Sequence, residues 1–415
     1  MAIIKPFKAI RPIPELAAKV ASLPYDVMSS REAREMVNGN PDSFLHVEKA
    51  EIDLDATLDL HDQRVYAKAR ANLQRMIADG ILVQDSANCF YIYREVLGAK
   101  MQTGLVGCVS IDDYAAGVIK IHEQTRPTQE QDRLKYIDYC DAHTGLVFLT
   151  YRSQQAINLR IETWISTHAA VYDFTAEDGV QHLVWVIDDR ETIHTFIHLF
   201  EAIDFLYVAD GHHRSAAAFK IGMQRRAQTP DYTGAEEFNY FLAGLFQSDQ
   251  LSILNYNRVV KDLYGLSEAE FLKRVGEHFD IECSRAEGPY QPVERHTFGM
   301  YVGDRWYILT PRPGTYSAAD PIAALDVSIL QNNLLTPILG IQDPRTDERI
   351  DFVGGIRGLR ELERRVQGGM KVAFSMYPTT IAEVLAVADM GKIMPPKSTW
   401  FEPKLRSGLF VHRLS

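Results

Sequence analysis

Cysteine is sparse here and never paired in sequence. Cys89, Cys108, Cys140 and Cys283 are the only four in 415 residues. None stands in a Cys-x-x-Cys pair, so neither a zinc ribbon nor a thiol redox motif is supported. Low cysteine usage suits a reducing compartment. Long apolar runs are also missing, and no stretch could span a bilayer as a helix. Met1 to Lys8 lacks the apolar core and small-residue cleavage site of a secretion signal. These absences give the expectation of a cytoplasmic protein with no membrane partner. Positive charge is in deficit: 44 Lys and Arg stand against 55 Asp and Glu, a formal net charge of −11. That balance argues against a nucleic-acid backbone as the main partner, while leaving room for a local basic pocket. The common nucleotide motifs are absent too. No P-loop occurs, and Phe352-Val353-Gly354-Gly355 has neither the Rossmann glycine spacing nor the P-loop lysine. No internal repeat or low-complexity segment is seen.

What is present is ordinary globular material, with 46% hydrophobic and 24% charged residues. The length suggests two to three domains. The informative stretch is Tyr207-Val208-Ala209-Asp210-Gly211-His212-His213-Arg214. Phe205 to Ala209 has a strand's length and composition, and the alanine-rich Ser215 to Lys220 favours helix. The polar cluster therefore falls on a turn from a strand into a helix N-terminus, where unpaired N–H groups and the helix dipole attract anions. Gly211 permits close approach of a phosphate to the backbone. Arg214 adds a planar charged fork, His212 and His213 add donors, and Asp210 adds a carboxylate for Mg²⁺ or a proton. Asp210, His212 and His213 could equally ligate a transition metal, or simply form a capped turn.

Other stretches carry weaker signals. Pro24-Tyr25-Asp26-Val27 reads as a strand-to-helix loop, and Ser29 to Glu32 as an N-cap with acidic first-turn support. Phe44 to Val47 is expected as a strand. Asp59 to Asp79 has helical periodicity, with Tyr66, Ala69, Leu73 and Ile77 on one face and Gly80 closing it. Cys89 to Tyr93 and Gly104 to Ile111 read as paired strands around Gly98, and Val147 to Tyr151 as a buried strand. His122-Glu123 is not the helical zinc motif, because Arg126 stands where a second histidine is needed. Glu123 could be a general base, an Mg²⁺ ligand or part of a surface turn. Arg258 is a possible phosphate contact. The proline-stiffened tail Met394 to Lys404 could close over a phosphate or strap the core.

Asp210 to Arg214 resembles the signature of the ParB/sulfiredoxin-like fold. It is similar to the Asp-Gly-His-x-Arg turn of nucleotide-dependent free-serine kinases, with His213 at the variable position. Sulfiredoxins have a catalytic cysteine where this chain has His212, and ParB proteins have a more basic box. The wider likeness is to an uncharacterised conserved prokaryotic family related to those kinases. It covers Arg11-Pro12, Pro24 to Val27, His122 to Leu134 and the tail around Lys397. The resemblance implies an α+β, mixed α/β fold: an N-terminal segment over residues 1–120, a ParB/sulfiredoxin-like core over 121–286, and a C-terminal segment over 287–415 closing the site. It implies ATP or ADP and Mg²⁺ as cofactors, the metal on Asp210. Catalytic candidates are Glu123, Asp210 and His122. Phosphate candidates are Gly211, His212, His213, Arg214, Arg133, Lys397, Ser398 and Lys404. Tyr25, Asp26 and Thr125 would face a small-molecule substrate. The implied activity is phosphoryl transfer to a small hydroxylated metabolite, possibly serine. A nucleotide-binding regulator and a metal-dependent hydrolase remain the alternatives.

Overall fold

In the computed structural model, which describes residues 1–285 and 287–415, apolar runs between residues 4 and 247 become the strands of one nine-stranded sheet. Its order is Ile119–Lys120, Leu206–Asp210, Val147–Tyr151, Tyr240–Gln247, Lys100–Ser110, Phe90–Leu97, Gln181–Ile187, Tyr172–Thr175, with Ile4–Lys5 added on Lys100–Ser110. Every residue of Val147–Tyr151 is buried, as its mostly apolar run favours, and the Thr150 hydroxyl within it donates to the Phe246 carbonyl at 2.9 Å. Leu206–Asp210 pairs parallel with Ile119–Lys120 and antiparallel with Val147–Tyr151, and its register shifts between Val208 and Asp210. The helix His212–Gln228 follows at once. It buries Ala217, Ala218 and Ile221 in a core shared with Phe90, Leu105, Leu149 and Phe241.

The described chain is mixed α/β, with several sheets and 13 α-helices. It forms two units: Met1–Leu251 with Pro403–Ser415, and Ser252–Glu402. The expected boundary near Lys120 falls inside the first unit's sheet, where Lys120 pairs with Tyr207. The expected boundary at residue 286 lies outside the described residues. Local composition does not signal the actual division, because the first unit is discontinuous. Its tail returns to pair Ser407 with Ser22, Val411 with Ile10, and His412–Arg413 with Ala142–His143. The second unit holds a six-stranded antiparallel sheet in the order Phe279–Cys283, Arg305–Pro311, Phe298–Val302, Val372–Met376, Tyr256–Val260, Ile350–Gly354. Its own core includes Phe271, Met300, Leu330 and Phe374.

Two local expectations are corrected. Phe44 to Val47 is not a strand: Leu45–Glu48 is a short helix. The Ser43 hydroxyl accepts the Leu45 N–H at 3.3 Å and the Phe44 N–H is taken by the Val20 carbonyl, local bonding that competes with a ladder. In the helix Gln63–Ala78, Met76 is buried and Ile77 is exposed. The apolar stripe steps by three from Leu73, not four, which the 3.6 period allows. No helix among the described residues is long and apolar enough to cross a membrane.

Gly222 lies on the buried side of His212–Gln228. A Cβ there would sit 2.5 Å from the Ile111 Cδ1 and 2.6 Å from the Phe238 carbonyl oxygen. Alanine normally favours a helix over glycine by about 1 kcal/mol, but the close backbone approach reverses the sign. Gly222→Ala is expected to destabilise the protein by roughly 1–3 kcal/mol, read as a lower urea midpoint at unchanged slope.

Candidate functional site

The sheet delivers Asp210 to the edge of a helix. Gly211 follows in the left-handed region, φ 91° and ψ 31°, and the helix begins at His212. A side chain would be strained at that φ, so the turn requires glycine. Beyond it lies the positive end of a 17-residue helix, with its first N–H groups outside the intrahelical ladder. The Gly211 N–H donates to Asp210 Oδ1 at 2.8 Å, and the Lys404 ammonium donates to Oδ2 at 2.5 Å. Burial works against the Asp210 charge. Lys404 outweighs it, with help from the Gly211 N–H, and draws the carboxyl down to about 2.

Beside this pair stand two imidazoles. The His122 and His212 rings meet edge to face, centroids 4.5 Å apart and planes at 90°. Both residues are buried. Neither nitrogen of His122, nor Nε2 of His212, has a hydrogen-bond partner. Burial pulls His122 down to about 4, with Asp210 opposing, and burial followed by His122 pulls His212 well below the usual histidine value. Both rings are therefore neutral at pH 7, each with one acceptor nitrogen and one N–H. Glu123 follows His122 and is half-buried. His213 faces another way, its Nε2 accepting the Arg126 N–H at 3.1 Å. The Thr125 hydroxyl donates to Glu130 Oε2 at 2.6 Å.

The third group surrounds a residue that sequence reasoning missed. Glu48 is buried, and its Oε2 accepts Arg214 Nη2 at 3.1 Å and lies 3.9 Å from Arg133 Nη1. The Thr144 hydroxyl donates to Oε1 at 2.5 Å. Burial pushes Glu48 up, but Arg214 and Arg133 hold it below the ordinary carboxylate range. Arg214 also reaches the Leu146 carbonyl and the Ser407 hydroxyl. Arg133 forks onto Asp132 Oδ2 at 3.0 and 2.7 Å, and Asp132 is fixed in turn by Tyr66 and His61. The Tyr25 ring lies under both guanidiniums, 3.8 Å from Arg133 and 5.2 Å from Arg214. Asp26 is exposed next to it. A cavity of about 20 Å³, lined by Glu48, Arg133, Thr144, Gly145 and Arg214 among others, adjoins the cluster. Gly145 leaves room for Arg214: a Cβ there would come within 2.9 Å of the guanidinium.

The structure thus gathers Asp210, Gly211, His212, His122, Lys404, Arg214, Arg133 and Tyr25 around one turn. Lys397 and Ser398 lie in the second unit. Arg133 and Arg214, expected as open phosphate forks, are already engaged by carboxylates. Asp210, His212 and His213 turn to Lys404, His122 and Arg126 respectively, and no group of three or more His, Cys, Asp or Glu among the described residues is arranged to hold a metal. A divalent cation at Asp210 would have to replace Lys404. The one sequence signal for Glu48 was its place against an apolar run, since a glutamate is almost never fully buried unpaired.

The family model described as Protein of unknown function (DUF1015) matches residues 4–328. No curated protein matches the chain. Solved structures similar to it include a free serine kinase in complex with AMP, 14% identical over 73% of this chain and 90% of that one, TM-score 0.33. Others are a free serine kinase mutant in complex with ADP, 13% identical, 73% and 91% covered, TM-score 0.36, and SbnI with C-terminal truncation from Staphylococcus aureus, 14% identical, 73% and 85% covered, TM-score 0.37. These are distant likenesses.

Glu48→Gln leaves two guanidiniums without their shared carboxylate. It is expected to cost about 3 kcal/mol or more, measured by urea unfolding. The Asp210 carboxyl, depressed from 3.8 to about 2, adds stability that is present above about pH 4 and lost as pH falls towards about 2. In Lys404→Met that contribution is absent at neutral pH. The gap in melting temperature between wild type and variant should therefore narrow from about pH 5 to about pH 2.

Proposed function

This chain belongs to the DUF1015 family, whose function is unknown, and we propose that it is a nucleotide-dependent phosphotransferase acting on the hydroxyl of a small metabolite. The observation that carries this reading is the Asp210–Arg214 turn. A carboxylate kept ionised by a lysine stands at a helix N-terminus, with two buried imidazoles at its side whose Nε2 atoms have no hydrogen-bond partner. The likeness of Asp-Gly-His-His-Arg to the turn of free-serine kinases supports ATP or ADP as the donor, serine as the first acceptor to test, and a ParB/sulfiredoxin-like core for the first unit.

Phosphoryl transfer needs phosphate positioning, charge neutralisation and an oriented hydroxyl. Gly211 and the helix-start N–H groups of His212, His213 and Arg214 would cradle the phosphates. Lys404 would move its ammonium from Asp210 to a phosphoryl oxygen, and Asp210 would take Mg²⁺ in its place. When bound, that ion would neutralise phosphate charge. Arg133 and Arg214, pinned by Asp132 and Glu48, would hold the helix start and set Tyr25 in place. His122 and His212, kept neutral, would hydrogen-bond without adding charge. Glu123 would accept the acceptor hydroxyl's proton, with Tyr25, Asp26 and Thr125 on the acceptor side.

Isothermal titration with ATP and ADP, with and without Mg²⁺, tests the reading. Lys404→Ala should weaken nucleotide binding by about tenfold or more, the loss of one charge-assisted contact. Glu123→Gln should keep nucleotide binding while turnover on serine or a related hydroxyl compound falls by about a hundredfold or more. Absence of binding to either nucleotide would overturn the proposal. Binding without a phosphorylated product from any hydroxyl compound would instead indicate a nucleotide-responsive regulator.

A further inference from the structure

The second unit contains a buried cation with no counter-charge. Arg258 lies on Tyr256–Val260, an interior strand of the six-stranded sheet, opposite Phe352 on one side and Phe374 on the other. It is 3% exposed. An arginine is almost never fully buried unless paired, because an uncompensated charge is costly to desolvate. The buried Arg133 and Arg406 follow that rule, pairing with Asp132 and Asp178. Arg258 does not. Its guanidinium donates to the carbonyls of Tyr256 and Lys397 and lies 5.5 Å from the Phe352 ring. No carboxylate among the described residues pairs with it. Burial draws the group down to about 10, with only Tyr256 pulling the other way.

A second cation stands over the same strand. Lys397 is half-buried and holds a left-handed φ of 57°, a conformation that lysine rarely adopts. Its ammonium is 5.6 Å from the Tyr256 ring centroid, and among the described residues no carboxylate pairs with it either. The loop that presents it is fixed: the Thr379 hydroxyl donates to the Ser398 carbonyl at 2.8 Å, and the Ser398 hydroxyl donates to the Pro395 carbonyl at 2.5 Å. Trp400 packs edge-on to Tyr256, centroids 5.3 Å apart. Two cations without carboxylates, one buried and one on a left-handed backbone, therefore lie against one residue of a single unit, Arg258 on the Tyr256 carbonyl and Lys397 beside its ring.

We infer that Arg258 and Lys397 form a binding site for the phosphate group of a small molecule, with Tyr256 and Trp400 as its aromatic wall. An anion there would supply the missing counter-charge. The guanidinium has five N–H donors, of which two carbonyls satisfy only part. Phosphate oxygens suit both an arginine fork and a lysine point charge. The phosphate can belong to a nucleotide or to a phosphorylated metabolite, and the chemistry at Arg258 is the same for both.

The test uses the full chain in phosphate-free buffer. Inorganic phosphate, ADP and O-phosphoserine are titrated against wild type, Arg258→Met, Lys397→Gln and Lys404→Ala. At least one of the three probes should bind wild type, weaken about tenfold or more in both Arg258→Met and Lys397→Gln, and persist in Lys404→Ala. Which probe does so identifies the source of the phosphate. Arg258→Met should melt within a few degrees of wild type without ligand, since relief of an uncompensated buried charge offsets the loss of the two hydrogen bonds to carbonyls. Bound anion should raise the wild-type melting temperature and leave that of Arg258→Met unchanged. A probe that binds all variants equally, or is lost only in Lys404→Ala, would overturn the site. So would a sharp fall in the ligand-free melting temperature of Arg258→Met, which would make the guanidinium structural. Lys397, on a half-exposed loop, gives a second binding test that does not depend on a buried substitution.

Discussion

The ion cluster around Glu48 is the constraint on which the first unit's site depends. One buried carboxylate faces two guanidiniums, at 3.1 Å from Arg214 and 3.9 Å from Arg133. Burying any of the three alone would cost several kcal/mol. Together they fix three distant stretches: the short helix carrying Glu48, the helix Pro127–Cys140 carrying Arg133, and the first turn of His212–Gln228 carrying Arg214. Tyr25 is set by the two cations above its ring, so a fourth stretch follows. Because Arg214 is held from below, the helix start that it belongs to is held as well, and with it Gly211 and Asp210.

The tail does the same work from the other side. Pro403–Ser415 belongs to the first unit although more than a hundred residues of the second unit precede it in the chain. Its polar residues each have a fixed place: Lys404 on Asp210, Arg406 on His182 and Asp178, and Ser407 on the Ser22 backbone and Arg214. Lys404 and Ser407 thus tie one strap to both the Asp210 pair and the Glu48 cluster. Displacing Lys404 would leave the strap anchored at Arg406 and Ser407, which confines any movement to the lysine side chain and its neighbours.

Much of this was legible in the sequence wherever the signal is local. The strand–glycine–helix turn at Asp210 to Arg214 was readable because apolar run, glycine and alanine-rich helix are contiguous. Its neighbours His122 and Lys404 came from the family resemblance, since spacing alone does not bring residues 122, 210 and 404 together. Glu48 was not legible. Its helix was read as a strand, and the partners that make a buried glutamate tolerable lie 85 and 166 residues further on. That Arg133 and Arg214 are engaged by carboxylates was hidden for the same reason: a guanidinium's partners are selected by pairing in space. The discontinuous unit was hidden because a returning tail has no compositional mark. Arg258 was flagged as a phosphate contact, but only its burial without a carboxylate gives that reading physical content.

The charges around the turn decide what form of nucleotide the proposed site would take. Arg133, Arg214 and Lys404 contribute three positive charges, and Glu48, Asp132 and Asp210 three negative ones, so these six groups sum to zero. The two imidazoles add nothing while burial keeps them neutral. Asp26 and Glu123 lie on the negative side of the balance. The helix dipole is worth only about half an elementary charge, too little to offset a bare polyphosphate. A site balanced in this way favours a polyphosphate that arrives with its own divalent cation over the free anion. Lys404 already occupies the place of a cation on Asp210, so under the proposed reading a divalent ion brought by the ligand would be held by the Asp210 carboxylate, and the displaced lysine would be left to face a phosphoryl oxygen.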